Sequence, residues 1–186
     1  MVIDQNRCLG CEACSVACRI ENDTGEFFWV NVETHGGAIK DTPGGAFPKL
    51  VMDFMPKLCN HCAEPPCMDA CPTGAITQSE DGLVTINRRE CTGCGSCEEA
   101  CPYHAINLGK DGIAGKCNFC AHRLAAGKEP FCVTCCVGQA MHFGDLADPT
   151  SEVYRLSHLE NATTLLPELG TGPAVYYLPP MERRRL

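Results

Sequence analysis

Sixteen cysteines fall into four groups: Cys8, Cys11, Cys14 and Cys18; Cys59, Cys62, Cys67 and Cys71; Cys91, Cys94, Cys97 and Cys101; and Cys117, Cys120, Cys132 and Cys136. A seventeenth, Cys135, stands outside the pattern. Three chemistries compete for such a set. Disulfides need an oxidising compartment, and sulfurs two residues apart are poorly placed to pair with each other. Zinc uses paired CxxC units, but three cysteines at two-residue gaps with a fourth before proline is not zinc spacing. Only CNFC with CVTCC would pass as a zinc site in isolation. Cubic iron–sulfur clusters fit every group. A CxxCxxC loop carries three thiolates to one cube, and the fourth cysteine points to a neighbouring cube. ECTGCGSCEEACP, residues 90–102, would thus serve two clusters. Pro72 and Pro102 follow the fourth cysteine, where an amide hydrogen would lack a partner. Ala13, Ala17, Ala70, Ala100, Gly93 and Gly95 leave room for a cube among the ligands.

The elements that must position these sulfurs are repeated. VIDQNRCLGCEAC (2–14) aligns with TINRRECTGCGSC (85–97), each an extended segment running into a ligand loop. CPTGAI, CPYHAI and CVGQAM place a turn and an apolar pair after the fourth cysteine. AITQSEDGLVTIN reads as strand, Asp-Gly turn and strand. Loop, short helix and hairpin make a ferredoxin-like module with two cubes, and sixteen ligands fill two such modules. The expected fold is α+β: two interleaved ferredoxin-like modules of short helices and β-hairpins, a Gly/Pro-rich insert and an extended C-terminal tail. The inner module would span 56–110, and the outer one 1–19 with 111–147. The insert is 20–55, where Phe27, Phe28 and Trp29 suit either an interface or the core. Residues 148–186 hold a helix expected over about 149–159, with Asp148 as cap and Pro149 in its first turn, then a tail that would strap the fold or a partner.

The composition agrees with coordinate cross-links. A chain of 186 residues with 17 Cys, 18 Gly and 13 Pro has only 7 Phe, 4 Tyr and 1 Trp to fill a core, so metal binding becomes folding free energy. A net charge of −8 argues against nucleic acid as the main partner. The one dense basic run, Arg183 to Arg185, reads as a solvated terminus. No stretch approaches the roughly 18–20 apolar residues that cross a bilayer. With a candidate ligand at position 8, no secretory signal is expected before it, and the chain is expected to be soluble, with membrane attachment through partners. No GxGxxG, GxxxxGK or GxSxG motif is present. His61, His104 and His122 lie near ligands and are expected to hydrogen-bond or tune potential, not to ligate. A cube with four thiolates has no open iron for substrate, so no catalytic residue is assigned.

CxxCxxCxxxC, CNHCxxxPCxxxCPTGA, CxGCxxCxxACPY and CxFCAHRLxxGxxPxCVxxC, followed by FGDLxDPxSEV and PELGTxPxVYYL, resemble the iron–sulfur subunits of complex molybdenum or tungsten oxidoreductases. The likeness is strongest to the polysulfide, thiosulfate, tetrathionate and arsenate reductase type. The resemblance implies an electron-transfer subunit of an anaerobic respiratory complex, not itself an enzyme, carrying four 4Fe-4S clusters. It also implies a molybdopterin-containing catalytic partner and a polytopic, quinone-reactive membrane subunit; a stand-alone polyferredoxin or a hydrogenase- or dehydrogenase-associated carrier is the alternative. By position it assigns Cys8, Cys11, Cys14 and Cys136 to one cluster, and Cys18, Cys117, Cys120 and Cys132 to its neighbour. Cys59, Cys62, Cys67 and Cys101 take the third, and Cys71, Cys91, Cys94 and Cys97 the fourth. Two departures are visible: CCVG, with Cys135 beside Cys136, replaces a terminal Cys-Pro, and His104 stands where relatives carry glycine. A periplasmic setting, reached by folded co-export with a partner, is expected, with the cytoplasmic side as the alternative.

Overall fold

The computed structural model describes residues 1–39 and 41–181; the Arg183 to Arg185 run lies outside them. In chain order the elements are β1 (Val2–Asp4), α1 (Ala13–Asn22), β2 (Asn31–His35), β3 (Gly44–Ala46), β4 (Lys49–Val51), β5 (Asp53–Lys57), α2 (Pro66–Asp69), β6 (Ile76–Gln78), β7 (Val84–Ile86) and α3 (Ser96–Ala100). They continue with β8 (Ile106–Leu108), β9 (Ala114–Lys116), α4 (Ala121–Leu124), α5 (Phe131–Thr134), β10 (Met141–His142), α6 (Glu152–Ser157), β11 (Thr163–Thr164), a 3-10 turn (Pro167–Leu169) and β12 (Tyr176–Leu178). Short helices mixed with short paired strands make the fold α+β.

Two hairpins repeat one design. Ile76 faces Ile86 across β6–β7, and Ile106 faces Lys116 across β8–β9. Both close through the same turn: the Gly82 amide donates to the Ser79 carbonyl and the Gly112 amide to the Gly109 carbonyl, each at 2.9 Å. The second hairpin carries the Asp-Gly signal of the first, at Asp111–Gly112, and the sequence reading passed over it. Behind each hairpin lies the repeated turn that follows a cysteine. The amides of Gly74, His104 and Gln139 donate to the carbonyls of Cys71, Cys101 and Cys136 at 3.2, 3.1 and 3.0 Å. All three residues are left-handed, at φ 67, 51 and 51. Glycine is the residue that takes this conformation without strain, so His104 takes it only at a cost. His104 is exposed, so His104→Gly should leave the fold intact and raise its stability by up to about 1 kcal/mol, read as a higher denaturation midpoint with unchanged slope.

Sheet order β10-β1-β12-β11 joins the two ends of the sequence. β1 pairs antiparallel with β10 and parallel with β12, with Val2 opposite Tyr176 and Asp4 opposite Leu178. The tail is therefore an inner strand of this sheet, and it straps the fold itself. Just before β12, the Gly172 and Thr171 carbonyls accept from the Ala63 and Glu64 amides at 2.8 and 3.0 Å, and the Ala174 amide donates to the Asn60 carbonyl at 2.8 Å. α6 starts later than the sequence suggests, and its cap is Ser151, whose side chain accepts from the Tyr154 amide at 3.0 Å. Asp148 instead accepts from the Thr150 amide and hydroxyl at 2.8 and 2.7 Å, closing an Asx-turn that delays the helix.

The insert is a ladder, not a loose loop. β2 and β5 pair from Asn31–Lys57 to His35–Asp53, and β3–β4 extends beyond them. Its aromatic triplet divides: Trp29 packs on the core and against Gly115, while Phe28 is exposed beneath the Arg19 guanidinium. Phe54 of β5 lies over the CLGC loop, where a Cβ on Gly10 would meet its ring carbons at 2.4–2.7 Å. Only glycine fits there, and its φ of 65 favours glycine as well.

The core is made of cysteines as much as of hydrocarbon. Cys14, Cys18, Cys59, Cys117 and Cys132 share one buried cluster with Ile3, Val30, Val32, Val175 and Tyr177, and Cys67, Cys97 and Cys101 share another with Ile76, Val84 and Ile106. Ten of the seventeen cysteines are buried and none is paired in a disulfide. Sulfurs therefore hold the interior positions that large aromatics would otherwise fill.

Candidate functional site

The four cysteine groups converge across the chain, not within themselves. Cys8 and Cys11 leave the loop after β1, and Cys14 opens α1; left-handed Gly10 and Glu12 turn that loop. Their sulfurs meet Cys136 around a pocket walled by Val32 and Pro56 from the insert ladder and by Ala140 and Met141. A second cavity is lined by Cys59, Cys62, Cys67 and Cys101 with Asn60, Pro66, Val84 and Ile106. The remaining sulfurs form two more neighbourhoods. Cys132 lies near Cys117, Cys120 and Cys18, with Cys14 of the first set next to them, and Cys97 lies near Cys91, Cys71 and Cys94.

Burial differs along this series. It pushes the Cys14, Cys18 and Cys67 thiols up to about 12, and the Cys117 and Cys132 thiols well up. At the exposed end the balance reverses. Burial is the largest single effect on Cys71 and raises it, but the Thr73 hydroxyl and the Thr73, Ile76 and Ala75 amides together outweigh it and hold Cys71 below the ordinary thiol range; the Ser96 hydroxyl and amide hold Cys94 down likewise. Cys11 and Cys94 are exposed; the Cys18, Cys117, Cys120, Cys132 set and the Cys59, Cys62, Cys67, Cys101 set are buried throughout.

Among the described residues no three His, Cys, Asp or Glu side chains converge closely enough to hold a single metal ion. Zinc needs four ligands within about 2.0–2.3 Å of one point, whereas these sulfurs stand around volumes. Residues 50–146 match the family described as 4Fe-4S dicluster domain, just over half of the chain. A subunit of tetrathionate reductase from Salmonella typhimurium is 40% identical over 195 residues, covering 96% of this chain and 71% of the relative. A component of polysulfide reductase from Wolinella succinogenes is 40% identical over 184 residues, covering 96% and 93%. The arsenate respiratory reductase iron-sulfur subunit ArrB of a Shewanella species is 35% identical over 227 residues, covering 96% and 94%. The chain is a member of the family of 4Fe-4S dicluster iron–sulfur subunits.

As an iron–sulfur subunit it carries 4Fe-4S clusters and transfers electrons; it is not the catalytic subunit. Its residues fit the cofactor on three counts. The donors are thiolates. The two cavities each have four sulfurs on their walls. Asn60, 1% exposed and on the wall of the second cavity, has neither side-chain polar atom paired among the described residues, as a group awaiting a sulfur neighbour would. Bound there, the clusters supply one-electron redox chemistry.

The three histidines near the cysteine groups make other contacts or face solvent. His61 accepts from the Val84 amide through Nδ1 at 3.1 Å, so its proton sits on Nε2, and burial first and Lys116 second hold its pKa well below the usual range. Its ring stacks on Phe119 with centroids 3.8 Å apart. The two residues hold the same place in CNHC and CNFC, both left-handed, so the stack joins two equivalent ligand loops. His122 Nε2 lies 2.8 Å from Glu21, and His104 faces solvent. The sequence reading missed Lys116, Asn60 and Thr171, whose hydroxyl meets Tyr103 at 2.5 Å. Alternation along β9 was the available signal for Lys116, which shares a face with buried Ala114.

Cys135 and Cys136 separate by what they touch. Cys136 lines the first cavity, and its sulfur accepts from the Ala140 amide at 3.2 Å; the Cys135 sulfur turns to the Ala13 and Cys132 carbonyls, 3.6 Å from each. Cys135→Ser should retain the parent iron content, and Cys136→Ser should lose about a quarter of it, both read by iron assay of anaerobically purified protein.

Proposed function

We propose that this chain conducts electrons singly through four 4Fe-4S clusters, between a molybdopterin-containing catalytic subunit and a membrane subunit that exchanges electrons with quinone. Cys8, Cys11, Cys14 and Cys136 hold the first cluster and Cys18, Cys117, Cys120 and Cys132 the second. Cys59, Cys62, Cys67 and Cys101 hold the third and Cys71, Cys91, Cys94 and Cys97 the fourth. Shared elements support this order: α1 carries Cys14 and Cys18 of the first and second sets, α2 (Cys67 just ahead of Cys71) and α3 (Cys97 just ahead of Cys101) tie the third to the fourth, and Lys116 touches Cys59 of the third and the Cys117 carbonyl of the second. Two ferredoxin-like modules interleave in this reading, the outer one closed by β1 on β10 around the inner one.

The observation that carries the proposal is the pattern of exposure. The first and fourth sulfur sets each have one exposed cysteine, Cys11 and Cys94, while the two sets between them are buried. A conductor needs two ends that partners can approach and a middle that solvent cannot. The relatives are components of tetrathionate, polysulfide and arsenate reductases by name, which supports a catalytic partner of that kind. No helix among the described residues is long and apolar enough to cross a membrane, so membrane association would come through the partner, on the periplasmic side if the complex is exported folded. Affinity purification of the native complex on this chain tests the reading. A copurifying subunit containing molybdenum or tungsten and pterin is expected; a chain that runs alone, with neither metal, contradicts it.

A further inference from the structure

Lys116 is the one Lys, Arg, Asp or Glu side chain that is buried among the described residues, at 3% exposed. Its ammonium donates to the Cys59 sulfur at 3.5 Å, to the Cys117 carbonyl at 3.1 Å and to the Val84 carbonyl. No carboxylate lies within ion-pair distance of it among the described residues. A buried cation without a counter-charge is strongly unfavourable, so its counter-charge must come from the Cys59 sulfur it touches. Register sharpens the point. In the first hairpin Ile76 faces Ile86, and in the second Ile106 faces Lys116. The repeat would accept an isoleucine here, yet a charge stands where the hairpin meets Cys59 on one side and precedes Cys117 on the other.

We infer that Lys116 is a positioning residue that raises the reduction potential of the cluster held by Cys59, Cys62, Cys67 and Cys101. The inference rests on the four-cluster reading above. One electron enters that cluster from the neighbouring redox partner, its net charge becomes more negative by one, and no proton moves. A fixed cation hydrogen-bonded to one ligand sulfur favours the reduced state, strongly so in a buried site of low effective dielectric.

The test is a dithionite titration of the purified holoprotein followed by electron paramagnetic resonance, with iron assayed in parallel, on the parent, Lys116→Gln, Lys116→Arg and a surface control, Lys110→Gln. At parent iron content, Lys116→Gln should lower the reduction equilibrium constant of one cluster at least tenfold, which is about 59 mV for one electron. Lys116→Arg keeps the charge and should stay near the parent value, and Lys110→Gln should leave every midpoint unmoved. Unchanged midpoints in iron-replete Lys116→Gln overturn the inference. Should that variant lose iron, parent protein labelled with 15N-lysine decides. A 15N coupling on one reduced-cluster signal supports the contact, and its absence from all of them overturns it. A parent protein without four cluster signals would contradict the four-cluster reading itself, a failure distinct from unmoved midpoints.

Discussion

Removing the iron from this chain is expected to lower its denaturation midpoint more than any single substitution, and the direction in which stability changes with pH distinguishes the loaded from the stripped protein. Structural metal binding is worth on the order of 10 kcal/mol in small metal-dependent folds, comparable to the whole stability of a domain at about 5–15 kcal/mol. Here the loss would empty the cavities at the first and third sulfur sets and leave Lys116 without a counter-charge. For whatever fold survives without iron, burial holds the Cys14, Cys18 and Cys67 protons up to about 12, against 9.0 for an ordinary thiol. Between those values the unfolded state binds fewer protons than the folded one, so stability is steady below pH 9 and declines as pH climbs towards 12. In the loaded protein the sulfurs carry iron and no proton, so below about pH 9 the unfolded state binds more protons than the folded one, and stability falls as the solution is acidified. Denaturant unfolding by circular dichroism, before and after chelation and across pH, should show the two opposite trends. A chelated protein that unfolds with the parent's midpoint and slope would contradict this.

Tyr177→Ala is expected to cost about 3–5 kcal/mol, the usual range for truncating a buried aromatic. The side chain is 1% exposed, it packs in the cysteine-bearing core, and its hydroxyl donates to the Pro56 carbonyl at 3.0 Å. Pro56 also walls the cavity of Cys8, Cys11, Cys14 and Cys136, so the same change should loosen the first cluster and lower its iron occupancy. Tyr177→Phe keeps the ring and should lose only about 1 kcal/mol, the net worth of one hydrogen bond. Chemical denaturation of the two variants measures both, and equal stability for Ala and Phe would show that the ring is not part of the core.

Chemistry that depends on local spacing could be read directly from the chain. Cys8, Cys11 and Cys14 announce a ligand loop because two-residue gaps leave few other uses for three thiols, and Asp81–Gly82 announces a hairpin because that turn needs those residues. What escaped depends on distant partners. Three residues, YYL, give no period long enough to mark an inner strand, and only β1 and β11 on either side make β12 one. The insert's ladder was not legible because its pairing joins Asn31 to Lys57 across a Gly/Pro-rich stretch. Asp148 carried the better cap signal, but it closes a turn with Thr150, and Ser151 takes the cap. Lys116 is a single residue whose meaning comes from Cys59, far from it in sequence.

The most direct measurement is iron, acid-labile sulfide and zinc on the anaerobically purified chain. About sixteen iron atoms and as many sulfides per chain, with no zinc, is the result expected of four cubes filled by sixteen thiolates. Zinc in place of iron, or iron without sulfide, would show that these cysteines hold separate ions and that the chain is not a conductor.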